Sequence, residues 1–216
     1  MRYRVNNIEI RTESAAKPIV QKSKYLTDWI LSREVVEEGL DYGCGKLRYS
    51  AAVERVCRNL TLVDSDVQLS RCQIIDNQKT TVIQYATATW PNVRLLTVDD
   101  FFEDTRQYEF ILCANVLPII PDYDIRNLVL KSLYMSLKPD GDCLFVAQYT
   151  NSFFTKLKNS PYAIPHLDGY LINGPKRKSY FGILPKRKIE SLSQEHGFLI
   201  RDSWTEGQSA YVLVTK

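Results

Sequence analysis

The chain has 216 residues with 28 Lys and Arg against 25 Asp and Glu, a length and balance that suit one soluble domain able to bury a full core. No apolar run approaches the length that spans a bilayer, and the polar start Met1–Ile10 lacks the pattern of a signal peptide, so a cytoplasmic protein is expected and no membrane partner. The five cysteines Cys44, Cys57, Cys72, Cys113 and Cys143 form no C-x-x-C pair and only two histidines accompany them, which excludes a recognisable zinc site; no metal is expected, and the cysteines read as buried thiols.

Taken in chain order, apolar runs alternate with helix-like segments. A first strand starts near Val35 and ends at Gly39-Leu40-Asp41, followed by a helix over Arg48–Cys57. Asn59–Val63 is a second strand, with a helix over Val67–Ile75. Val93–Val98, Phe110–Ala114 and Cys143–Ala147 are the third, fourth and fifth strands. Between the last two of these, Asp124–Leu137 places Ile125, Leu128, Val129 and Leu133 at helical spacing. A helix over Lys186–Glu195 ends at Gly197, and a late pair of strands, Phe198–Trp204 and Ala210–Thr215, closes the chain. Runs without polar alternation suit strands buried on both faces. The pattern predicts an α/β fold: a doubly wound, mostly parallel seven-stranded sheet with an antiparallel last strand and helices on both faces. The connection around Glu206-Gly207-Gln208 is too short for a crossover, which is why the last strand is antiparallel.

Charge is segregated beneath the near-neutral total. Residues 1–24 carry +4, residues 25–150 carry −6, residues 151–188 carry +7 and residues 189–216 carry −2. The stretch from about 150 to 184 is long for a connection and rich in Pro, Gly, Asn, Tyr and Lys, which marks it as a functional insert.

The segment Asp41-Tyr42-Gly43-Cys44-Gly45 ends the first strand. Glycines there permit a tight turn and close approach of a ligand to the backbone. Asp64, nineteen residues after Gly45, ends the second strand, where an acid accepts hydrogen bonds from ribose hydroxyls. NAD fits poorly: Arg48 stands where a G-x-G-x-x-G loop needs its third glycine, and Asp41 would repel a pyrophosphate. The ammonium and sulfonium of S-adenosylmethionine are favoured by the same acid.

On these residues the chain resembles a class I S-adenosylmethionine-dependent methyltransferase from about residue 20 to its end. Asp41 to Gly45 resembles the D-x-G-x-G first motif, and Leu62-Val63-Asp64-Ser65-Asp66 the ribose-binding motif. Leu96 to Phe101 resembles the third, whose acid faces adenine, and Glu109 to Leu117 the fourth. Leu137-Lys138-Pro139-Asp140-Gly141-Asp142 and the ending Gly197-Phe198 with Tyr211 to Val214 complete the series. Two positions depart from the pattern: Leu47 replaces a loop glycine, and Glu109 stands where Asp is common.

The resemblance implies S-adenosyl-L-methionine as cofactor, held by Asp41, Tyr42, Gly43, Cys44, Gly45, Asp64, Ser65, Asp99, Asp100, Phe101 and Asn115. It also implies a single domain over 1–216 with an N-terminal helical lid over about 1–34, from which Tyr25 closes on the cofactor or packs against a helix. Methyl transfer needs alignment more than a base. Asn115 in the fourth motif and Tyr149 and His166 near the insert are the catalytic candidates, although a surface-loop histidine is the preferred reading of His166. The fourth motif has neither the [DNS]-P-P-[YFW] pattern of amino-methylating DNA enzymes nor a Pro-Cys nucleophile. Lys176, Arg177, Lys178 and Tyr180 are candidate substrate contacts through the basic insert, with a solvated charge run as the alternative. The +7 insert favours a phosphate-bearing molecule or nucleic acid as acceptor, with a small molecule as the alternative and a non-catalytic cofactor-binding or nucleic-acid-binding partner protein as the third reading.

Overall fold

The computed structural model describes residues 2–150, 152–175 and 178–216. In chain order come β1 (Arg2–Val5), β2 (Ile8–Arg11), α1 (Lys24–Leu31), β3 (Val36–Tyr42), α2 (Ser50–Glu54), β4 (Cys57–Asp64) and α3 (Asp66–Ser70). Then follow β5 (Gln73–Ile75), β6 (Gln78–Thr80), α4 (Val82–Thr89), β7 (Arg94–Thr97), α5 (Val98–Phe102), β8 (Tyr108–Ala114), α6 (Tyr123–Ser136) and β9 (Leu137–Gln148). The chain ends with α7 (Ser152–Lys158), β10 (Ala163–His166), β11 (Gly169–Asn173), β12 (Lys178–Gly182), α8 (Lys186–Glu195), β13 (Leu199–Glu206) and β14 (Ser209–Thr215).

The seven expected strands form one sheet in the order β13-β14-β9-β8-β3-β4-β7. Pairings from β9 to β7 are parallel, and β14 runs antiparallel between β9 and β13. The central strands bury both faces, as their unbroken apolar runs require. On one face Leu26 and Ile30 of α1, Val53 of α2, Leu69 of α3 and Val82 and Ala86 of α4 pack against Leu62 and Leu112. On the other, Phe101 of α5, Val129, Leu130 and Leu133 of α6, and Ile189 and Leu192 of α8 pack against Ile111 and Phe145. Asp122 starts α6 by accepting from the Ile125 amide at 3.0 Å.

Four expectations are corrected. The N-terminal segment is not a helical lid: β1 and β2 form a hairpin, short 3-10 turns cover Thr12–Ala15 and Ile19–Gln21, and α1 is its one α-helix. The hairpin turns at Asn6 and Asn7, both left-handed with φ of 49° and 63°, as a two-residue turn matching strand twist demands. The helix expected over Val67–Ile75 stops at Ser70, because Gln73–Ile75 pairs with Gln78–Thr80 across a second left-handed pair, Asp76 and Asn77. The helix expected over Arg48–Cys57 shrinks to α2: Leu47 is left-handed (φ 63°), so the helix starts only beyond it, and Cys57 already belongs to β4. Val98 leaves β7 and opens α5. The 150–184 insert is ordered as α7 and the antiparallel sheet β10-β11-β12, whose Leu171 and Tyr180 bury against Ile8 and Ile10 of the N-terminal hairpin.

Candidate functional site

The site begins where β3 ends. The Gly43 and Cys44 amides both donate to the Val63 carbonyl of β4, at 2.8 and 3.1 Å, which turns the chain sharply over the sheet. Gly43 has φ +76°, and a Cβ there would lie 2.2 Å from Val116 Cγ2; only glycine fits. Gly45 (φ +59°) faces Ala16 of the N-terminal segment. At the end of β4, Asp64 Oδ2 accepts from the Gly45 amide at 2.8 Å and Oδ1 from the Ser65 amide at 2.7 Å. Burial raises the Asp64 pKa, against the pull of those two amides. Gln68 of α3 donates to the Gly45 carbonyl and accepts from Arg71 Nη2, which also donates to the Glu13 carbonyl at 2.8 Å. This chain of bonds joins the glycine loop to the N-terminal turn.

Asp41 is 3% exposed and accepts from Ser50 Oγ at 2.6 Å. Burial pushes its carboxyl up to about 6; the Ser50 hydrogen bond opposes the rise, Asp64 adds to it and Arg48 reduces it.

These groups line a cavity of about 500 Å³ over the C-terminal ends of the central strands, the place where open α/β sheets bind ligands. Strand order lays the site out. The insert follows β9, Asn115 follows β8, the glycine loop follows β3 and Asp64 ends β4. The N-terminal turn roofs it with Glu13, Ala16 and Lys17, and the insert walls it with Phe154, Leu157, Ser179, Tyr180 and Phe181. Glu13 is buried, and its Oε2 has no hydrogen-bond partner. Lys17 shares the cavity with Arg48, and burial first, then that neighbouring cation, lowers its pKa.

Of the residues named from the sequence, Asp41, Tyr42, Gly43, Cys44, Gly45, Asp64, Ser65, Asn115 and Tyr180 meet at this cavity. Asn115 sits at φ +62°, its amide donating to the Val146 carbonyl and its Oδ1 accepting from the Gln148 amide at 2.9 Å, so its side chain holds the turn. The others lie elsewhere. Asp99 lines a neighbouring hollow with Tyr3, Ser65 and Val98. The Asp100 carboxylate accepts from the Thr97 amide and hydroxyl, which caps α5. Phe101 is buried in the core, its ring 5.2 Å from that of Tyr42. Tyr25 is 40% exposed with its ring in edge contact with Tyr211; the N-terminal residues over the cavity are Tyr3 and 12–18 instead. Tyr149 packs against the core, its amide donating to the Gln208 carbonyl. His166 Nε2 lies 2.7 Å from the Pro121 carbonyl oxygen, an acceptor only, so that nitrogen carries the proton and donates.

The basic run is only partly in view: Lys176 and Arg177 lie outside the described residues, and Lys178 is exposed on β12. Lys188 pairs with Asp168 at 3.1 Å. Asp168 also pairs with Arg126 of α6, which is 1% exposed and whose Nη2 donates to the Ile120 carbonyl and to the Tyr180 hydroxyl. Arg126 thus anchors the insert, and neither it nor Glu13, Lys17, Arg48 or Gln68 carried a motif in the sequence. Among the described residues no group of His, Cys, Asp or Glu could hold a metal ion, and no helix is long and apolar enough to cross a membrane.

The donor set fits a nucleoside bearing an amino-acid tail. Asp64 keeps lone pairs for ribose hydroxyls, Lys17 and Arg48 supply cations for a carboxylate, and Asp41 and Glu13 supply acceptors for cationic or N–H groups.

No family model matches the chain. It is 36% identical over 214 residues to YmfD of Escherichia coli (strain K12), an uncharacterized protein, covering 99% of this chain and 96% of that one. Among solved structures it is similar to an S-adenosylmethionine-dependent methyltransferase from Clostridium acetobutylicum ATCC 824 (TM-score 0.65, 15% identity, 91% of this chain and 93% of that one). It is also similar to the N-methyltransferase NodS from Bradyrhizobium japonicum WM9, solved with S-adenosyl-L-homocysteine (TM-score 0.58, 14% identity, 89% and 86%).

Proposed function

We propose that this chain, which belongs to the family of Escherichia coli YmfD and has the class I methyltransferase fold, is an S-adenosylmethionine-dependent methyltransferase acting on a small-molecule acceptor. The observation that carries this reading is the Asp64 carboxylate bonded to the Gly45 amide at the rim of a cavity that continues past Asn115 to the insert. When bound, S-adenosylmethionine supplies a methyl group already activated on a sulfonium. The protein's task is then to bind, align and exclude water. Asp64 holds the ribose end, Lys17 and Arg48 the carboxylate, and Asp41 favours the positive charge of the tail. The N-terminal turn and the insert flank the site on two sides and narrow the access of water to it.

A small molecule is favoured over a nucleic acid because the cavity is roofed and walled, and because the described basic side chains of the insert lie outside it. All five cysteines are free thiols and four of them are buried, in keeping with a reducing, cytoplasmic setting. Isothermal titration with S-adenosylmethionine, S-adenosylhomocysteine and NAD tests the reading. Binding of the first two and not of NAD is the expected result; binding of NAD alone would overturn it.

A further inference from the structure

We propose that the insert-side half of the cavity is an acceptor subsite for a small, uncharged, largely apolar molecule with a flat face, and that it rejects phosphate-bearing acceptors. The inference rests on the reading above, in which the other half holds the cofactor.

The cavity is divided by charge. Its charged side chains are Glu13, Lys17, Asp41, Lys46, Arg48 and Asp64, all from the N-terminal turn or the loops after β3 and β4. The far wall, after β8 and β9, is made by Val116, Ile119, Phe154, Leu157 and Phe181, with no charged side chain among the described residues there. Of its polar atoms, Asn115 Oδ1 accepts from the Gln148 amide, Gln148 Nε2 donates to Gln208 and the Tyr180 hydroxyl accepts from Arg126, while the buried Ser179 hydroxyl has no partner among the described residues and can serve one neutral polar group of an acceptor. A phosphate entering this end would lose its hydration and meet no cation among the described residues that line it.

The insert's own amphipathy produces that wall. Phe154 and Leu157, three apart on α7, both line the cavity, whereas Lys156 and Lys158 are exposed. The lysines of α7 therefore point to solvent, and its apolar side points at the site. Phe154 stacks on Phe181 with centroids 5.1 Å apart and planes 13° from parallel. Phe181 is stacked in turn on Tyr170, with centroids 5.7 Å apart, so this end of the cavity is lined by an aromatic stack, which suits a planar, uncharged acceptor that packs against ring edges and faces. Sharing about 500 Å³ with a nucleoside-sized cofactor keeps the acceptor small.

The test uses the full chain saturated with S-adenosylhomocysteine, with indole, phenyl phosphate and a short single-stranded oligonucleotide as probes in ligand-observed saturation-transfer NMR. Indole is expected to bind, and the two phosphate probes are not. Leu157→Asp should weaken indole by about tenfold or more, because it places a carboxylate on the apolar wall, while S-adenosylhomocysteine affinity, titrated separately, stays unchanged. Should that variant lose S-adenosylhomocysteine binding through misfolding, Phe154→Ala serves in its place. The double variant Lys156→Ala/Lys158→Ala should alter neither affinity. Tighter binding of phenyl phosphate or oligonucleotide than of indole, or indole binding indifferent to both wall variants, overturns the subsite. Failure of S-adenosylhomocysteine itself to bind removes the methyltransferase reading, and the subsite with it. Cofactor binding without indole binding removes the subsite alone.

Discussion

Replacing Asp41 with Asn removes a carboxyl that burial holds at about 6 instead of its ordinary 3.8. Asn keeps the shape and an oxygen to accept from Ser50, whose hydroxyl lies 2.6 Å away. The folded state binds this proton more tightly than the unfolded chain does, so the burden on stability is absent well below pH 4. It grows as pH rises between about 4 and 6 and is complete above that. A shift of roughly 2 units at 1.36 kcal/mol each amounts to about 3 kcal/mol at pH 8, and to about 1 kcal/mol at pH 4.5. Asp41→Asn should therefore be more stable than the native chain by about 3 kcal/mol at pH 8, with the margin shrinking toward pH 4.5. Urea unfolding of both proteins at the two pH values measures it, and taking the difference at each pH cancels titrating groups that do not interact with Asp41. The same variant should bind S-adenosylmethionine more weakly, since the buried charge that costs stability is the one that meets a cation. A variant less stable than native at pH 8, or a margin that does not change with pH, refutes the reasoning.

Asp64→Ala should cost about 1.5–3 kcal/mol of S-adenosylmethionine affinity, read by titration calorimetry, through loss of a charge-assisted acceptor; unchanged affinity would remove Asp64 from the site. Gly43→Ala should destabilise the chain, since the new Cβ falls 2.2 Å from Val116 Cγ2. Part of that loss should return in the double variant with Val116→Ala, as a thermal melt would show. Arg126→Met should cost about 1–3 kcal/mol by leaving the Ile120 carbonyl and the Tyr180 hydroxyl without their donor, Asp168 keeping Lys188 as its partner, and limited proteolysis should then cut within 160–182 more rapidly than in the native chain. Leu47→Ala should cost about 2–5 kcal/mol by emptying a core position, although residue 47 stands where the resembling loops carry glycine; a neutral effect would show that the side chain is dispensable there.

The seven-strand sheet was legible because strands buried on both faces have nothing to alternate, so Leu60 to Val63, Phe110 to Cys113 and Cys143 to Ala147 stand out as apolar runs. Both small hairpins were missed. Their strands are three or four residues long, too short for any period to emerge, although Val5-Asn6-Asn7-Ile8 carried the turn chemistry of one. The loop Asp41 to Gly45 and its acid Asp64 were readable because backbone geometry restricts them to a few residue types at fixed spacing.

Which side chains join that loop was a different matter. Tyr25, Tyr149 and His166 were chosen by type and place in the chain, but whether a side chain faces a cavity depends on register and on what packs behind it. Asp100 was taken up by a helix cap and Phe101 by the core. Glu13, Lys17 and Arg126 reach the site or its wall only because the fold brings together segments far apart in the chain, 58 residues between Arg71 and Glu13 and 42 between Arg126 and Asp168, a distance no local pattern encodes. The basic insert shows the same limit: composition counts its charge, but only the helix α7 decides that Phe154 and Leu157 turn inward while Lys156 and Lys158 turn out. The sequence by itself determined the sheet, the glycine loop and the acid opposite it, because these obey short-range rules of backbone and burial. The cover over the site and the chemistry of its acceptor end were decided by tertiary structure alone, because they are built from contacts between segments distant in the chain.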